Sequence, residues 1–307
     1  MYKVPLKSTL GFTILMAISL LLSAAAVLDP LAIPQATIAS YAISTTNLGV
    51  VTSAYAYRPW YENGAWQGDL VQYTLSTNGT ISTTVDNSTN PPTNTANVNG
   101  NTNWSARLQF NKNDINNTYY NQRKIITTDG SGVNAGQIAF TWNNLTQTQQ
   151  TSLDTNAVNN TSKILNFIRG DRSNEVNGSP GGLLRQRYNI LGDIIHTDPV
   201  YVAEPNSIIY DPGYALYKTQ NTLRAARVYA GANDGMLHVF DANTGDEVYA
   251  YIPSMLINKL NLLTRVAYQH QYYVDGGLSA GDMDFGNLNW HSILVGSLGA
   301  GGKGLFA

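Results

Sequence analysis

The chain carries four histidines, at positions 196, 238, 270 and 291, and no cysteine. Without cysteine there is no thiolate nucleophile, no Cys-based zinc site and no disulfide. None of the histidines falls in a His-x-x-x-His or His-Glu pair, so their spacing marks no metal site. His238, between Leu237 and Val239, has the setting of an interior strand residue held by a hydrogen bond. Asp282-x-Asp284 and Asp241-x-Asn243 have the acidic spacing of a calcium loop. The first, however, puts Gly286 at loop position five, and the second has Gly245 one place early and no closing glutamate. Turn chemistry is the reading for both. No Gly-x-Ser-x-Gly nucleophile elbow occurs. The sequence thus offers no catalytic residue and no metal-ligand set.

One short segment does suggest binding. Residues 164–175 read ILNFIRGDRSNE, and Arg169-Gly170-Asp171 is a tripeptide that many host-cell adhesion ligands display on a loop. These three residues are the candidate binding site. A second reading comes from the elements around them. Leu145, Gln149 and Leu153 are spaced four apart, and Ile164, Leu165 and Ile168 repeat a helical spacing, which predicts two short helices between about 145 and 169. Ser162 is placed to cap the second at its start. Arg169 then sits in the last turn, where a cation suits the helix dipole, and Gly170 falls where glycine accepts a left-handed conformation. Asp171 becomes the first loop residue.

The bulk numbers limit what the rest can be. The chain has 307 residues, 43% hydrophobic and 12% charged, with a formal net charge of -2. A core can be built, and Asn, Thr and Ser must cover the surface. There is no basic field to hold nucleic acid. Residues 1–26 have Lys3 and Lys7, an apolar run over 10–22 and small residues at 24–26, the pattern of a secretory signal peptide or, uncleaved, of a membrane anchor. The segment Gly11-Phe12-Thr13-Ile14-Leu15 also looks like a prepilin cleavage region, but Met16 stands where a prepilin has glutamate.

Residues 27–176 read as a variable, Ser/Thr/Asn-rich, β-rich region. Strands are predicted near 57–61, 66–75, 104–108 and 123–128, with a turn at Asn78-Gly79 and a polar surface insertion over 80–103. The turn-rich stretch 174–182 is the predicted main domain boundary.

From 183 onward the texture is β. Residues 228–232, 236–240 and 247–252 predict three strands joined by turns at Asn233-Asp234-Gly235 and through Gly245. Asp234, Gly235 and Gly245 are the structural turn residues of this unit. Met236, His238 and Phe240 are expected to point one way and Leu237 and Val239 the other. A strand apolar on both faces in an antiparallel meander suits a propeller blade. Residues 293–307 repeat strand, glycine turn, strand, with Gly231 and Gly296 at equivalent points. The fold class is therefore mainly β: the start of a modified β-propeller over 183–307, preceded by a small β-rich region with short helices. A propeller takes roughly 4–8 blades, and about two are present, so the chain reads as a fragment.

The motifs Leu191-Gly-Asp-Ile-Ile-His-Thr-Asp-Pro-Val-Tyr-Val202, Tyr229-Ala-Gly-Ala-Asn-Asp-Gly-Met-Leu-His-Val-Phe-Asp-Ala-Asn-Thr-Gly245, Tyr251-Ile-Pro-Ser254, Tyr273-Val-Asp-Gly-Gly277 and Val295-Gly-Ser-Leu-Gly-Ala-Gly-Gly-Lys-Gly304 follow in this order. Together they resemble the PilC/PilY family of type IV pilus tip adhesins. The resemblance implies a C-terminal modified β-propeller and a place at the pilus tip or outer surface. It also implies support of pilus extension against retraction, and attachment. Minor pilins and a host or abiotic surface would be the partners. It implies no cofactor within these residues, and calcium bound by an acidic loop farther along, beyond Ala307. Some members carry a von Willebrand A-type domain, but no Asp-x-Ser-x-Ser motif predicts one here. Segments like Ile168-Arg-Gly-Asp-Arg-Ser173 are common in the family just before the propeller, which favours packing for Gly170.

The blade phrase AGANDGMLHVFDANTG also resembles repeats of quinoprotein dehydrogenases, which hold pyrroloquinoline quinone. Those repeats commonly end in Trp where this chain has Tyr249, and many of the enzymes need a Cys-Cys pair that is impossible here. A propeller scaffold in outer-membrane assembly is the third class.

Overall fold

A computed structural model describes residues 54–75, 104–114, 116–130, 135–157, 162–177 and 182–307, and the strand backbone at 35–36, 42–43, 81–82, 85–86 and 93–94. The leader at 1–26, the Asn78-Gly79 turn and most of 80–103 lie outside the described residues.

The first sheet holds β1 (Gln35–Ala36), β2 (Ala42–Ile43), β3 (Ala54–Glu62), β4 (Gln67–Leu75) and β5 (Ile81–Ser82), in the order β1-β3-β4-β5 with β2 also on β3. Its centre is the long β3–β4 hairpin, in register from Ala54↔Leu75 to Glu62↔Gln67. β6 (Val85–Asp86) and β7 (Thr93–Asn94) pair with each other.

The strand expected over 104–108 is instead the start of helix α1 (Ala106–Asn113). Ser105 explains the difference. Its backbone is extended, its Oγ accepts from the Leu108 N–H, and the same hydroxyl donates to Asp69 Oδ2 at 2.6 Å. A serine cap anchored on a buried aspartate outweighs the local alternation. Two more helices, α2 (Gln147–Leu153) and α3 (Lys163–Arg169), fall within the predicted 145–169 segment. Thr146 and Gln149 form a capping box on α2, and Ser162 caps α3.

The central sheet has six strands in the order β10-β11-β12-β13-β8-β9. They are β8 (Ile125–Thr128), β9 (Gln137–Ala139), β10 (Val200–Val202), β11 (Arg227–Gly231), β12 (Leu237–Asp241) and β13 (Glu247–Tyr251). β10 to β13 run as an antiparallel meander, the pattern of a four-stranded blade. β8 joins β13 in parallel, with Ala250 and Ile252 N–H donating to Lys124 and Ile126 carbonyls at 2.9 Å. The sheet therefore crosses the turn-rich 174–182 stretch, and residues 35–307 form one unit rather than dividing there.

β12 is covered on both faces, with Leu237, His238, Val239 and Phe240 all buried. His238 and Phe240 share a side and stack with centroids 5.7 Å apart. Met236 departs from the expected alternation: it lies in the turn before β12 and packs in Leu237's cluster. That cluster also takes residues of α2, α3 and the 3-10 run Ser254–Thr264. Phe240, Val228 and Ala230 pack instead against Tyr57 and Leu70 of the hairpin and Trp104 and Phe110 at α1.

A third sheet holds β14 (Leu278–Asp284), β15 (Trp290–Ser297) and β16 (Leu305–Phe306) in that order. Gly231 ends β11 and pairs with Leu237, the first residue of the next strand, whereas Gly296 lies one residue before the end of β15 and pairs with Phe306, the last residue of β16, so the two glycines differ by one place in register. Helix α4 (Tyr214–Gln220) lies in the long β10–β11 connection. It rests on the β14–β15 hairpin through Tyr214, whose ring lies 4.9 Å from that of Trp290.

Candidate functional site

The turn Asn233-Asp234-Gly235 and strands β12 and β13 build a buried chain of charge. Asp234 Oδ2 accepts the Gly192 N–H at 2.9 Å and lies 3.0 Å from His238 Nε2. His238 Nδ1 lies 2.8 Å from Glu247 Oε1. Arg123, just before β8, donates to both Glu247 oxygens, from Nε at 2.7 Å and from Nη2 at 2.8 Å. Its Nη1 donates to the Arg169 carbonyl at 2.7 Å. Charged hydrogen bonds link every member of the chain, which suits groups removed from water.

The charges follow from this geometry. Burial pulls the His238 pKa down, but Asp234 and Glu247 outweigh it and push it up to about 9. Burial raises Glu247, yet the Arg123 and His238 contacts hold it at about 2. Asp234, likewise pushed up by burial, is kept below the usual carboxylate range by His238. His238 is thus an imidazolium between two carboxylates, fully buried, with both ring nitrogens engaged. It has no free nitrogen to take a proton from a substrate. Its chemistry here is that of a fixed internal cation.

The Arg169-Gly170-Asp171 segment joins the same construction. Arg169 is 6% exposed and Asp171 6% exposed. The Arg169 guanidinium donates to three carbonyls: Phe140 from Nη1 at 2.9 Å, and Tyr120 and Arg123 from Nη2 at 2.9 and 3.0 Å. Burial and the neighbouring Arg123 charge lower its pKa. Gly170 ends α3 at φ 121°, and a Cβ there would stand 3.2 Å from Ile190 Cδ1. Asp171 Oδ1 accepts from Asn117 Nδ2 and the Ser173 N–H, each at 2.8 Å. The Asp171 carbonyl accepts Arg187 Nη2 at 2.9 Å, and Arg187 in turn pairs with Glu175 at 2.8 Å. Burial lowers the Arg187 pKa to about 10 against the pull of Glu175.

The other candidate residues are spread over turns. Asp241 Oδ1 accepts the Asn243 and Thr244 N–H groups, and Asp284 Oδ1 accepts the Gly286 N–H. Asp282 stays on β14, where its carboxylate takes Tyr214 Oη and Ser292 Oγ, each at 2.5 Å. His291 lies on Asn289 Oδ1 at 2.9 Å. Among the described residues, no three His, Cys, Asp or Glu side chains converge to hold a metal ion. Gly235 and Gly245 both have positive φ, 96° and 76°.

Sequence reasoning passed over Arg123 and Glu247, because their partners lie 124 residues apart along the chain. It also passed over Asp193 and Asp275, two buried carboxylates that share the Asn233 amide. Asn233 Nδ2 lies 2.8 Å from Asp193 Oδ2 and 3.3 Å from Asp275 Oδ1. The pattern that could have marked them is their place in the quoted Leu191–Val202 and Tyr273–Gly277 motifs.

A four-stranded meander extended by two more strands, followed by a three-stranded antiparallel meander, is the arrangement of a partial β-propeller. Residues 191–307 match the PilY1 beta-propeller domain, and the chain belongs to that family as a PilY1-type protein. It is 37% identical over 272 residues to a type IV pilus biogenesis factor PilY1 homolog of Xylella fastidiosa, a match covering 86% of this chain and 19% of the relative. It is 37% identical over 287 residues to the type IV pilus biogenesis factor PilY1 of Pseudomonas aeruginosa strain PAK, covering 87% of this chain and 22% of the relative. The chain thus spans about a fifth of the length of these curated relatives. No solved structure matches it.

Proposed function

We infer that this chain serves type IV pilus biogenesis as an exported, pilus-associated propeller that works by binding and assembly, without catalysis. The observation that carries this reading is the match of residues 191–307 to the PilY1 propeller, alongside relatives named as pilus biogenesis factors. In this reading minor pilins at the pilus tip are the immediate partners, a host or abiotic surface is the outer one, and nucleic acid is no partner. The full engagement of His238 supports the non-catalytic part, since a general base needs a free nitrogen within reach of its substrate.

The same reading gives Arg169, Gly170 and Asp171 a packing role. Its support is that both charged side chains are buried and spent on internal partners. A receptor would have to pull them out of α3's end. Asp171→Glu keeps the charge but removes integrin recognition, so attachment to integrin-bearing cells that survives this change sets the receptor reading aside.

The test of the main proposal is deletion of the coding gene in its host, with surface pili counted and attachment scored. Loss of both, restored by the gene, is expected. Unchanged piliation and attachment would sink it.

A further inference from the structure

A trench runs between the central sheet and the β14–β15 hairpin. One part, about 180 Å³, is bounded by residues 201–207 at and after β10, by Arg224 and by Asp282 of β14. The other, about 400 Å³, is bounded by Tyr229, Tyr249 and Tyr251 of the blade and by Phe306 of β16, together with Thr128 and Gln137. Tyr229, Ser292, Ile293 and Leu294 line both parts and make them continuous. The larger part falls in the size range of ligand sites, roughly 300–1,000 Å³.

Strand register builds the aromatic part. Val239 of β12 pairs with Tyr229 on one side and Tyr249 on the other, which puts both rings on one face of the blade. Tyr251 follows two residues along β13 and shares that face. All three tyrosines are half-buried. Burial, then the neighbouring Tyr229, pushes the Tyr249 pKa up to about 12, so its hydroxyl is neutral. No Asp, Glu, Lys or Arg lines this part.

The smaller part is charged. Arg224 donates from Nε to the Ala203 carbonyl at 2.5 Å, and from Nη1 to Tyr217 Oη at 3.3 Å and to Ser292 Oγ. Among the described residues its Nη2 makes no hydrogen bond, and no carboxylate is ion-paired with it. Glu204, half-buried in the same lining, has no hydrogen bond or ion pair to its carboxylate among the described residues. Asp282 is held by the Tyr214 and Ser292 hydroxyls. The trench therefore offers a free donor and a free acceptor that do not satisfy each other.

These features select a ligand. A carboxylate would meet Arg224 but face Glu204 and Asp282. An ammonium would meet Glu204 but face Arg224. An apolar chain would take water from both and give nothing back. A neutral sugar suits the whole trench, since each hydroxyl both donates and accepts and the C–H face of the ring packs on an aromatic side chain. We propose that the trench binds a neutral oligosaccharide, its hydroxyls held by Arg224 and Glu204 and its C–H faces by Tyr229, Tyr249 and Tyr251. The proposal rests on the binding role inferred above and gives the outer surface a chemistry.

The test applies the whole chain to an array of neutral and acidic oligosaccharides and titrates the best neutral tetrasaccharide by calorimetry. The expected result is saturable binding, tighter than that of any acidic sugar on the array. Glu204→Gln and Tyr249→Leu should each weaken it about tenfold, the scale of one hydrogen bond to a charged group or one ring contact. Tyr188→Leu, at an exposed tyrosine outside the trench, should leave it unchanged. Denaturant melts check folding, and if Tyr249→Leu does not fold, Glu204→Gln decides. No neutral sugar bound, an acidic sugar preferred, or binding that either folded variant leaves unchanged overturns the proposal. So does a capped Phe-Ser-Phe-Ser peptide that binds the trench where no sugar does. Pilus counts after gene deletion test the biogenesis reading alone, and sugar binding by the purified chain tests this one, so the two fail separately.

Discussion

Arg123 and Arg169 exchange hydrogen bonds through each other's backbone: Arg123 Nη1 donates to the Arg169 carbonyl, and Arg169 Nη2 donates to the Arg123 carbonyl. Two like charges are held side by side, and each is used to fix the other's main chain. The pair links the end of α3 to the edge of the blade through Glu247, His238 and Asp234.

Arg169→Lys should therefore be costly although the charge is kept. A lysine ammonium cannot spread over the Phe140, Tyr120 and Arg123 carbonyls as the planar fork does. A loss of about 2–4 kcal/mol in unfolding free energy by urea titration is expected. A change within the error of the titration would mean that the fork is not structural.

Stability should form a plateau at mildly acid pH. Glu247, held at about 2, contributes stability present above its ordinary value of 4.5 and lost as pH falls through about 2. His238, raised to about 9, contributes stability present below its ordinary 6.5 and lost as pH rises through about 9. The alkaline loss is on the order of 3 kcal/mol. Urea midpoints measured across pH should show the fall on both sides, and His238→Gln should flatten the alkaline limb while lowering the plateau.

Gly245 and Gly64 separate backbone strain from space. Both have positive φ, 76° and 88°. A Cβ at Gly245 would fall 2.5 Å from Trp104 Cδ2, whereas one at Gly64 meets nothing within 4 Å. Gly64→Ala should cost about 1 kcal/mol, and Gly245→Ala more than about 2 kcal/mol, because the indole must move. Equal costs in parallel denaturant melts would remove the close approach of Trp104 from the account.

The Ala242 carbonyl gathers three donors from the N-terminal region: Gln72 Nε2 at 2.8 Å, Trp104 Nε1 at 3.0 Å and Tyr57 Oη at 3.3 Å. Trp104→Phe removes one donor and part of a buried ring, and should cost about 2–3 kcal/mol. Tyr57→Phe removes the longest bond and should cost under about 1 kcal/mol. Thermal melts of the two variants rank them; the reverse order would contradict this geometry.

The blade could be read in the sequence because its signals are local. Alternation over β11 to β13 and glycines at 235 and 245 determine strands and turns within a few residues of each other. Ser162 and Gly170 marked α3 for the same reason. What escaped was set at long range. α1 looked like a strand until Ser105 met Asp69, 36 residues away. The parallel pairing of β8 with β13 leaves no pattern in either strand. The charge chain was half visible, since His238's neighbours showed it was interior, but nothing nearby named Arg123 or Glu247 as its surroundings. Burial of Arg169 and Asp171 depends likewise on Tyr120, Phe140 and Asn117, none of them adjacent in sequence.

Where the chain sits on the cell tests the central claim most directly. Antibody raised against residues 183–307 is applied with gold to piliated cells and viewed by electron microscopy, with the deletion strain as blank. The account predicts gold at pilus ends. Gold confined to the cell body, with pili unlabelled along their length and at their tips, would contradict it.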